Sequence, residues 1–290
     1  KDPYIIRCVG DDIQKMPEIN YGMRLNPLVE RLFKKYFIHA PSFIATTHSI
    51  KREYLDLNVP EQKIKTILNG VDIERLQHKN KPDDIRRIFG FAKDDFILLA
   101  LGRNHPKKNF KLAIEMFQSL PQDYIKKHKL KLLIVGRGVD ALSPFLKDED
   151  HIILQDPAML KNNITAHQDK KQDLQLPDDF IVSCYQASNL FLMTSFIETF
   201  GIVLIESMAA GLPIISTKVK GCVDVLRGGK DAILIESNSI KQLKQAVQKL
   251  VENKSLLLEY QNKSRHRANH FCWTNIVDEY INIYKEILEK

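Results

Sequence analysis

Residues 189–217 read NLFLMTSFIETFGIVLIESMAAGLPIIST, and this stretch constrains the fold of the chain more than any other. The apolar run at 190–194 suits a buried strand, residues 200–210 carry helical periodicity closed by Gly211, and 212–216, entered through Pro213, is apolar again. The spacing predicts a compact βαβ unit with two buried parallel strands. In an open parallel sheet, the loop and helix N-terminus of such a unit lie at the carboxyl edge, where ligands bind.

Two glutamates sit at that edge. The backbone N–H groups of Phe200, Gly201 and Ile202, with Thr199 beside them, offer a place for a phosphate, and Gly201 lets a ligand come close. Helical side chains lean toward the N-terminus, so Glu206 is expected to direct its carboxylate back toward this place, while Glu198 approaches from the loop. An ionised carboxylate accepts hydrogen bonds from a vicinal pair of hydroxyls, so a diphosphate flanked by two hydroxyl-rich rings, a nucleotide sugar, suits the arrangement. The plain alternative has Glu198 complementing the helix macrodipole and Glu206 solvated on the surface.

A basic loop points the same way. Residues 96–101 read as a strand ended by Gly102, and 109–120 as a helix with Leu112, Ile114, Met116, Phe117 and Leu120 on its apolar positions. Between them, Arg103, His105, Lys107 and Lys108 crowd the end of a helix where the dipole disfavours cations. An anion would compensate them: Arg103 brings a planar fork for phosphate oxygens and Lys108 a point charge.

The spacing of Glu198 and Glu206, followed by Gly211-Leu212-Pro213, resembles the Glu-x7-Glu signature of the family 4 retaining glycosyltransferases, also called group 1. Gly102-Arg103 and Lys108-Asn109 resemble the family's second signature, and Asn69-Gly70-Val71-Asp72 its turn at the end of the N-terminal domain. The resemblance implies an α/β protein of the GT-B type, with two Rossmann-like domains, the N-terminal one incomplete. It implies that Glu198 contacts the donor sugar as the catalytic residue, Glu206 the ribose, and Arg103 and Lys108 the diphosphate. The reaction implied moves a sugar from a nucleoside diphosphate to a hydroxyl acceptor with retention, in polysaccharide or glycoconjugate assembly. The alternative function is a non-catalytic nucleotide-sugar-binding module.

Two departures from the family bear on that choice. The first strand, at 5–9, resembles a late strand of the N-terminal domain, so about half of that domain is expected to be missing. Where many members carry a histidine this chain has Val9, and no catalytic histidine is carried over; Asp11 and Asp12 read as a structural turn pair.

Composition agrees with a packed two-domain enzyme: 290 residues, 44% hydrophobic, with net charge +7. The basic residues are scattered and lack interleaved exposed aromatics, so nucleic acid is not an expected partner. Cys8, Cys184, Cys222 and Cys272 show no metal-ligand spacing and read as reduced thiols. No metal or other cofactor is expected. The Asp-x-Asp form at Asp148-Glu149-Asp150 lies in a charged turn, and Arg103, Lys108 and the helix N-terminus already supply positive potential. The expected partners are a nucleotide-sugar donor and a glycan or lipid-linked acceptor. The expected setting is the cytoplasm, including the cytoplasmic face of a membrane.

Along the chain, strands are expected at 5–9, 43–47, 65–68 and 131–135, with helices at 27–38, 49–57 and 83–89. The boundaries expected are 1–76 for the partial acceptor-side domain, 77–272 for the donor domain and 273–290 for a helix packing back on the first. The polar run at 78–82 reads as the linker and 155–177 as an irregular insertion before a strand near Phe180. Thr274 is the expected cap of the last helix, with Ile276, Tyr280, Ile281, Tyr284, Ile287 and Leu288 on its apolar face. Leu28, Leu32, Phe33, Tyr36 and Phe37 form an apolar face beside Arg31, Lys34 and Lys35. That pattern fits a domain core or peripheral contact with anionic lipid, the core being the favoured reading.

Overall fold

The computed structural model describes residues 4–77, 82–147, 151–159 and 177–289. Its first unit holds strand β1 (Ile5–Ile6), helix α1 (Pro27–Tyr36), strand β2 (Ser42–Ala45), helix α2 (His48–Asp56) and strand β3 (Ile64–Thr66). The strands form a parallel sheet in the order β1-β2-β3. Local chemistry starts each helix: Asn26 accepts from the Leu28 N–H ahead of Pro27, and Thr47 accepts from the Ile50 N–H. The segment between β1 and α1 has no regular ladder and is pinned instead by Arg24. That buried guanidinium donates to Glu30, Glu53 and the Ile13 carbonyl.

Helices α3 (Ile73–Gln77) and α4 (Pro82–Ile88) precede the second unit. There, β4 (Phe96–Leu101), α5 (Phe110–Gln118), α6 (Gln122–His128), β5 (Leu130–Val135) and β6 (Ile152–Gln155) build outward in one direction. The chain then returns through α7 (Asp179–Ala187) to the other side of β4 and builds β7 (Leu190–Met193), α8 (Ile202–Ala209), β8 (Ile214–Thr217), α9 (Lys220–Val225) and β9 (Ile233–Ile235). The resulting sheet is parallel throughout, in the order β6-β5-β4-β7-β8-β9. Its strands are apolar on both faces because both are covered: Ile97 and Leu99 enter one core cluster, Leu98 and Ala100 the other. The reversal of direction between β4 and β7 is a topological switch point, which opens a crevice at the carboxyl ends of these two strands.

Helices α10 (Ile240–Glu252) and α11 (Lys254–Ala268) complete this unit, and α12 (Trp273–Leu288) crosses back to the first. It buries Ile276 and Ile283 against Ile44 and Ile67. A parallel bridge from Val71 to Cys272 ties the crossing to the end of the first unit. No helix among the described residues is long and apolar enough to cross a membrane.

Several elements differ from the sequence expectations. The segment near Phe180 is not a strand: Asp178 accepts from the Ile181 N–H and starts helix α7, an ambiguity that short apolar runs always carry. Strand β1 ends at Ile6, because Asp12 draws the Val9 and Gly10 N–H groups into a turn. Helix α8 begins at Ile202 rather than Phe200, since Gly201 takes φ +81°. Thr274 does not cap α12; Cys272 holds that position without a side-chain cap. On α12 the buried face runs through Ile276, Tyr280, Ile283 and Ile287, leaving Ile281, Tyr284 and Leu288 exposed. The apolar residues of α1 and its C-cap Phe37 also divide, with Phe33 and Phe37 packed inward and Leu28, Leu32 and Tyr36 exposed. Residues 78–81, 148–150 and 160–176 lie outside the described residues, and with them most of the linker, the Asp-x-Asp turn and most of the insertion.

Candidate functional site

Two loops meet at the switch point: residues 102–109 after β4 and 194–201 after β7. They are stitched together by the backbone, the Phe196 N–H donating to the Lys107 carbonyl at 2.7 Å. The Thr194 hydroxyl donates to the Lys108 carbonyl at 2.9 Å. This brings the Lys108 ammonium to 2.7 Å from the Glu198 carboxylate, with both side chains largely withdrawn from solvent. The ion pair joins the two loops that the sequence singled out separately.

Lys108 and residues Glu198, Thr199, Phe200, Gly201, Ile202 and Val203 form one wall of a cleft of about 220 Å³. The opposite wall comes from the first unit, through Arg7, Val9, Thr46 and Asn69. Gly201 is required here twice over. Its φ is left-handed, and a Cβ would meet Leu204 at 3.1 Å and Glu198 at 3.3 Å.

Glu206 and Arg103 lie outside this lining. Glu206 is buried one turn into α8, where the Tyr185 hydroxyl donates to it at 2.8 Å, so it is not the solvated surface residue of the plain alternative. Burial pushes its carboxyl above the ordinary glutamate range, partly opposed by the Tyr185 hydrogen bond. Arg103 is exposed at the start of the basic loop, close enough to Lys107 and His105 to depress the affinity of both for protons. For both groups, burial is the larger cause of the depression.

The first unit grips the second at the loop itself. Gln14 donates to the Glu198 carbonyl at 2.9 Å, Thr47 to the Thr199 carbonyl at 3.1 Å, and Thr199 to the Val9 carbonyl at 2.9 Å. Lys107 reaches Tyr21, its ammonium 5.1 Å from the ring centroid. Behind the loop, α9 packs so closely that a Cβ on Gly221 would stand 2.3 Å from the Glu198 carbonyl oxygen. Sequence reasoning missed Gln14, Tyr185 and Gly221, whose roles depend on contacts far apart in the chain. Thr47 carried a local signal, as the cap of α2.

Comparison with known proteins identifies the family. The family model described as Glycosyl transferases group 1 matches residues 81–268, and that of Glycosyltransferase Family 4 matches residues 16–75. The chain belongs to the group 1 glycosyl transferases. It is 26% identical over 245 residues to N-acetyl-alpha-D-glucosaminyl L-malate synthase of Bacillus anthracis, covering 84% of this chain and 59% of that protein. It is 25% identical over 257 residues to the capsular polysaccharide biosynthesis glycosyltransferase CapM of Staphylococcus aureus, covering 87% and 63%. This group 1 chain thus spans about three fifths of the length of these curated relatives. Its fold is that of Anabaena HepE, solved with UDP-glucose: TM-score 0.77, 18% identity, 98% of this chain and 72% of that one. The two facing parallel-sheet units are therefore a GT-B arrangement.

Proposed function

We propose that this chain is a retaining glycosyltransferase, moving a sugar from a nucleoside diphosphate sugar to a hydroxyl acceptor in polysaccharide or glycoconjugate assembly. The observation that carries the reading is the Lys108–Glu198 pair, set on a cleft at the switch point beside the start of α8. When a diphosphate enters, Lys108 exchanges its carboxylate partner for phosphate oxygens, and Glu198 is released to accept hydrogen bonds from the sugar hydroxyls. Arg103 and the N–H groups at Gly201 and Ile202 add positive potential where the leaving diphosphate gains charge. This electrostatic set replaces a metal in the proposed chemistry. Glu206 serves the ribose of the same donor. With retention, the acceptor oxygen arrives on the face that the diphosphate leaves, which puts a diphosphate oxygen within reach of the acceptor proton.

HepE was solved with UDP and glucose, so UDP-glucose is the first donor to test. Calorimetry should show UDP binding that persists in excess chelator and is lost in the Arg103→Ala, Lys108→Ala double variant. Binding abolished by chelator and restored by magnesium overturns the metal-free part. Binding of the nucleotide sugar with no donor turnover under any condition would favour a binding module.

The acceptor is proposed to be a glycan or lipid-linked glycan met at the cytoplasmic face of a membrane. Leu28, Leu32 and Tyr36 are 69%, 50% and 56% exposed on α1, beside exposed Arg31, Lys34 and Lys35, a composition suited to an anionic lipid surface. Salt-sensitive sedimentation with anionic vesicles is expected, and its absence removes the membrane contact.

A further inference from the structure

The wall of the cleft facing the donor loops carries a charge that no carboxylate among the described residues balances. Arg7 leaves the end of β1 and donates from Nη2 to the Asn69 Oδ1, while its guanidinium lies 5.9 Å from the centroid of the Tyr280 ring. The side chain is thus held from two sides, by the end of the first unit and by α12. Among the described residues no carboxylate pairs with it, whereas Lys108 on the opposite wall is already matched by Glu198. A guanidinium has five N–H donors in a rigid fork, and the bond to Asn69 uses one of them.

A second observation on the same wall is independent of the charge. Thr46, at the end of β2, lines the cleft and is 1% exposed, yet its hydroxyl has no hydrogen-bond partner. Buried hydroxyls are nearly always paired, so an unpaired one lining a cleft is free to donate to a group that enters it. An unbalanced arginine fork and an unsatisfied hydroxyl on one wall ask for the same thing, an oxyanion.

We propose that Arg7 and Thr46 form an anion site on the acceptor side of the cleft, and that the acceptor carries a phosphate or carboxylate group bound there. The inference rests on the donor reading above, because it assigns the donor diphosphate to the Lys108 wall and leaves this wall for the second substrate. The site selects the acceptor by its charge and orients the attacking hydroxyl toward the donor sugar held at Glu198.

The test uses the whole chain saturated with UDP, so that the donor site is filled, titrated by calorimetry at constant ionic strength. The probes are inorganic phosphate, malonate and neutral glycerol. Phosphate or malonate is expected to bind and glycerol not to, the stronger of the two anions telling whether the acceptor group is a phosphate or a carboxylate. Arg7→Gln should weaken anion binding roughly tenfold or more and Thr46→Val about two- to tenfold, with UDP affinity unchanged in both. Arg7→Lys, which keeps the charge without the fork, should fall between. The proposal is overturned if UDP-saturated protein binds neither anion, or binds them equally well in Arg7→Gln, while UDP binding is intact. It is also overturned if Arg7→Gln weakens UDP itself, which assigns the arginine to the donor. Failure of the wild-type chain to bind UDP overturns the donor reading instead.

Discussion

The burial of Glu206 has a pH consequence at the scale of one residue. Its carboxyl is held neutral above the ordinary glutamate value of 4.5 because burial disfavours its charge. Between that value and the raised one, the folded state holds a proton that the unfolded chain has released, so this contribution to stability is full below 4.5 and is lost as pH rises through the folded value. A ribose diol hydrogen-bonds best to the ionised form, so UDP binding measured just above pH 4.5 is expected to release a proton from this site. Calorimetry in buffers of different ionisation enthalpy should detect the release in the wild type and not in Glu206→Gln, with affinity lower by about 1.5–3 kcal/mol. Equal proton release by both proteins would take Glu206 out of the ribose site. Gly221→Ala tests the loop from behind. The added Cβ, 2.3 Å from the Glu198 carbonyl oxygen, must push the donor loop or α9 away, and should lower UDP affinity. Amide exchange should quicken around 198–201, and unchanged exchange there would mean that α9 yields instead.

Among elements, the connection from β1 to α1 depends on Arg24 more than on any ladder. Its guanidinium is 3% exposed and bonds Glu30 through two nitrogens, at 2.6 and 3.1 Å. Arg24→Ala leaves the half-buried Glu30 and Glu53 carboxylates without their cation and is expected to cost about 1.5–3 kcal/mol in urea unfolding. The same arginine holds Glu30 down to about 2, so this stabilisation is present above 4.5 and is lost as pH falls toward 2. A urea midpoint that does not move between pH 5 and pH 3 more in wild type than in Glu30→Gln would contradict it. Elements such as β4, β7 and α5 were legible in the sequence because their apolar period is local, and Gly102 marks the end of β4. The two loops of the site were legible for the same reason, each carrying its charge between a strand and a helix. What joins them was not. The Gln14 bond to Glu198 spans 184 positions and the Thr47 bond to Thr199 spans 152, and no local pattern encodes such pairings. Near Phe180 the local pattern itself was ambiguous, and only the cap at Asp178 distinguishes helix from strand.

At the scale of the molecule, the cleft lies between the two units, with lining residues from both. Small-molecule sites hold roughly 300–1,000 Å³, whereas this cleft offers about 220 Å³. Parting of the two units is therefore expected to ease the entry of a whole nucleotide sugar, and a latch between them to oppose it. One latch lies away from the cleft. Asp224 on α9 accepts from both the N–H and the hydroxyl of Ser49, at 2.7 and 2.6 Å, and so caps α2 across the gap. Bonds to a charged acceptor are worth about 1.5–3 kcal/mol each. Removing them favours the open form without touching any residue of the proposed donor site. A ligand that needs a minor state binds more tightly when that state is made common. Asp224→Ala is thus expected to bind UDP up to about tenfold more tightly, and to show a larger radius of gyration by small-angle scattering before UDP is added. Scattering identical to wild type, with UDP affinity unchanged or weakened, would mean that opening at this latch is not what limits entry of the donor.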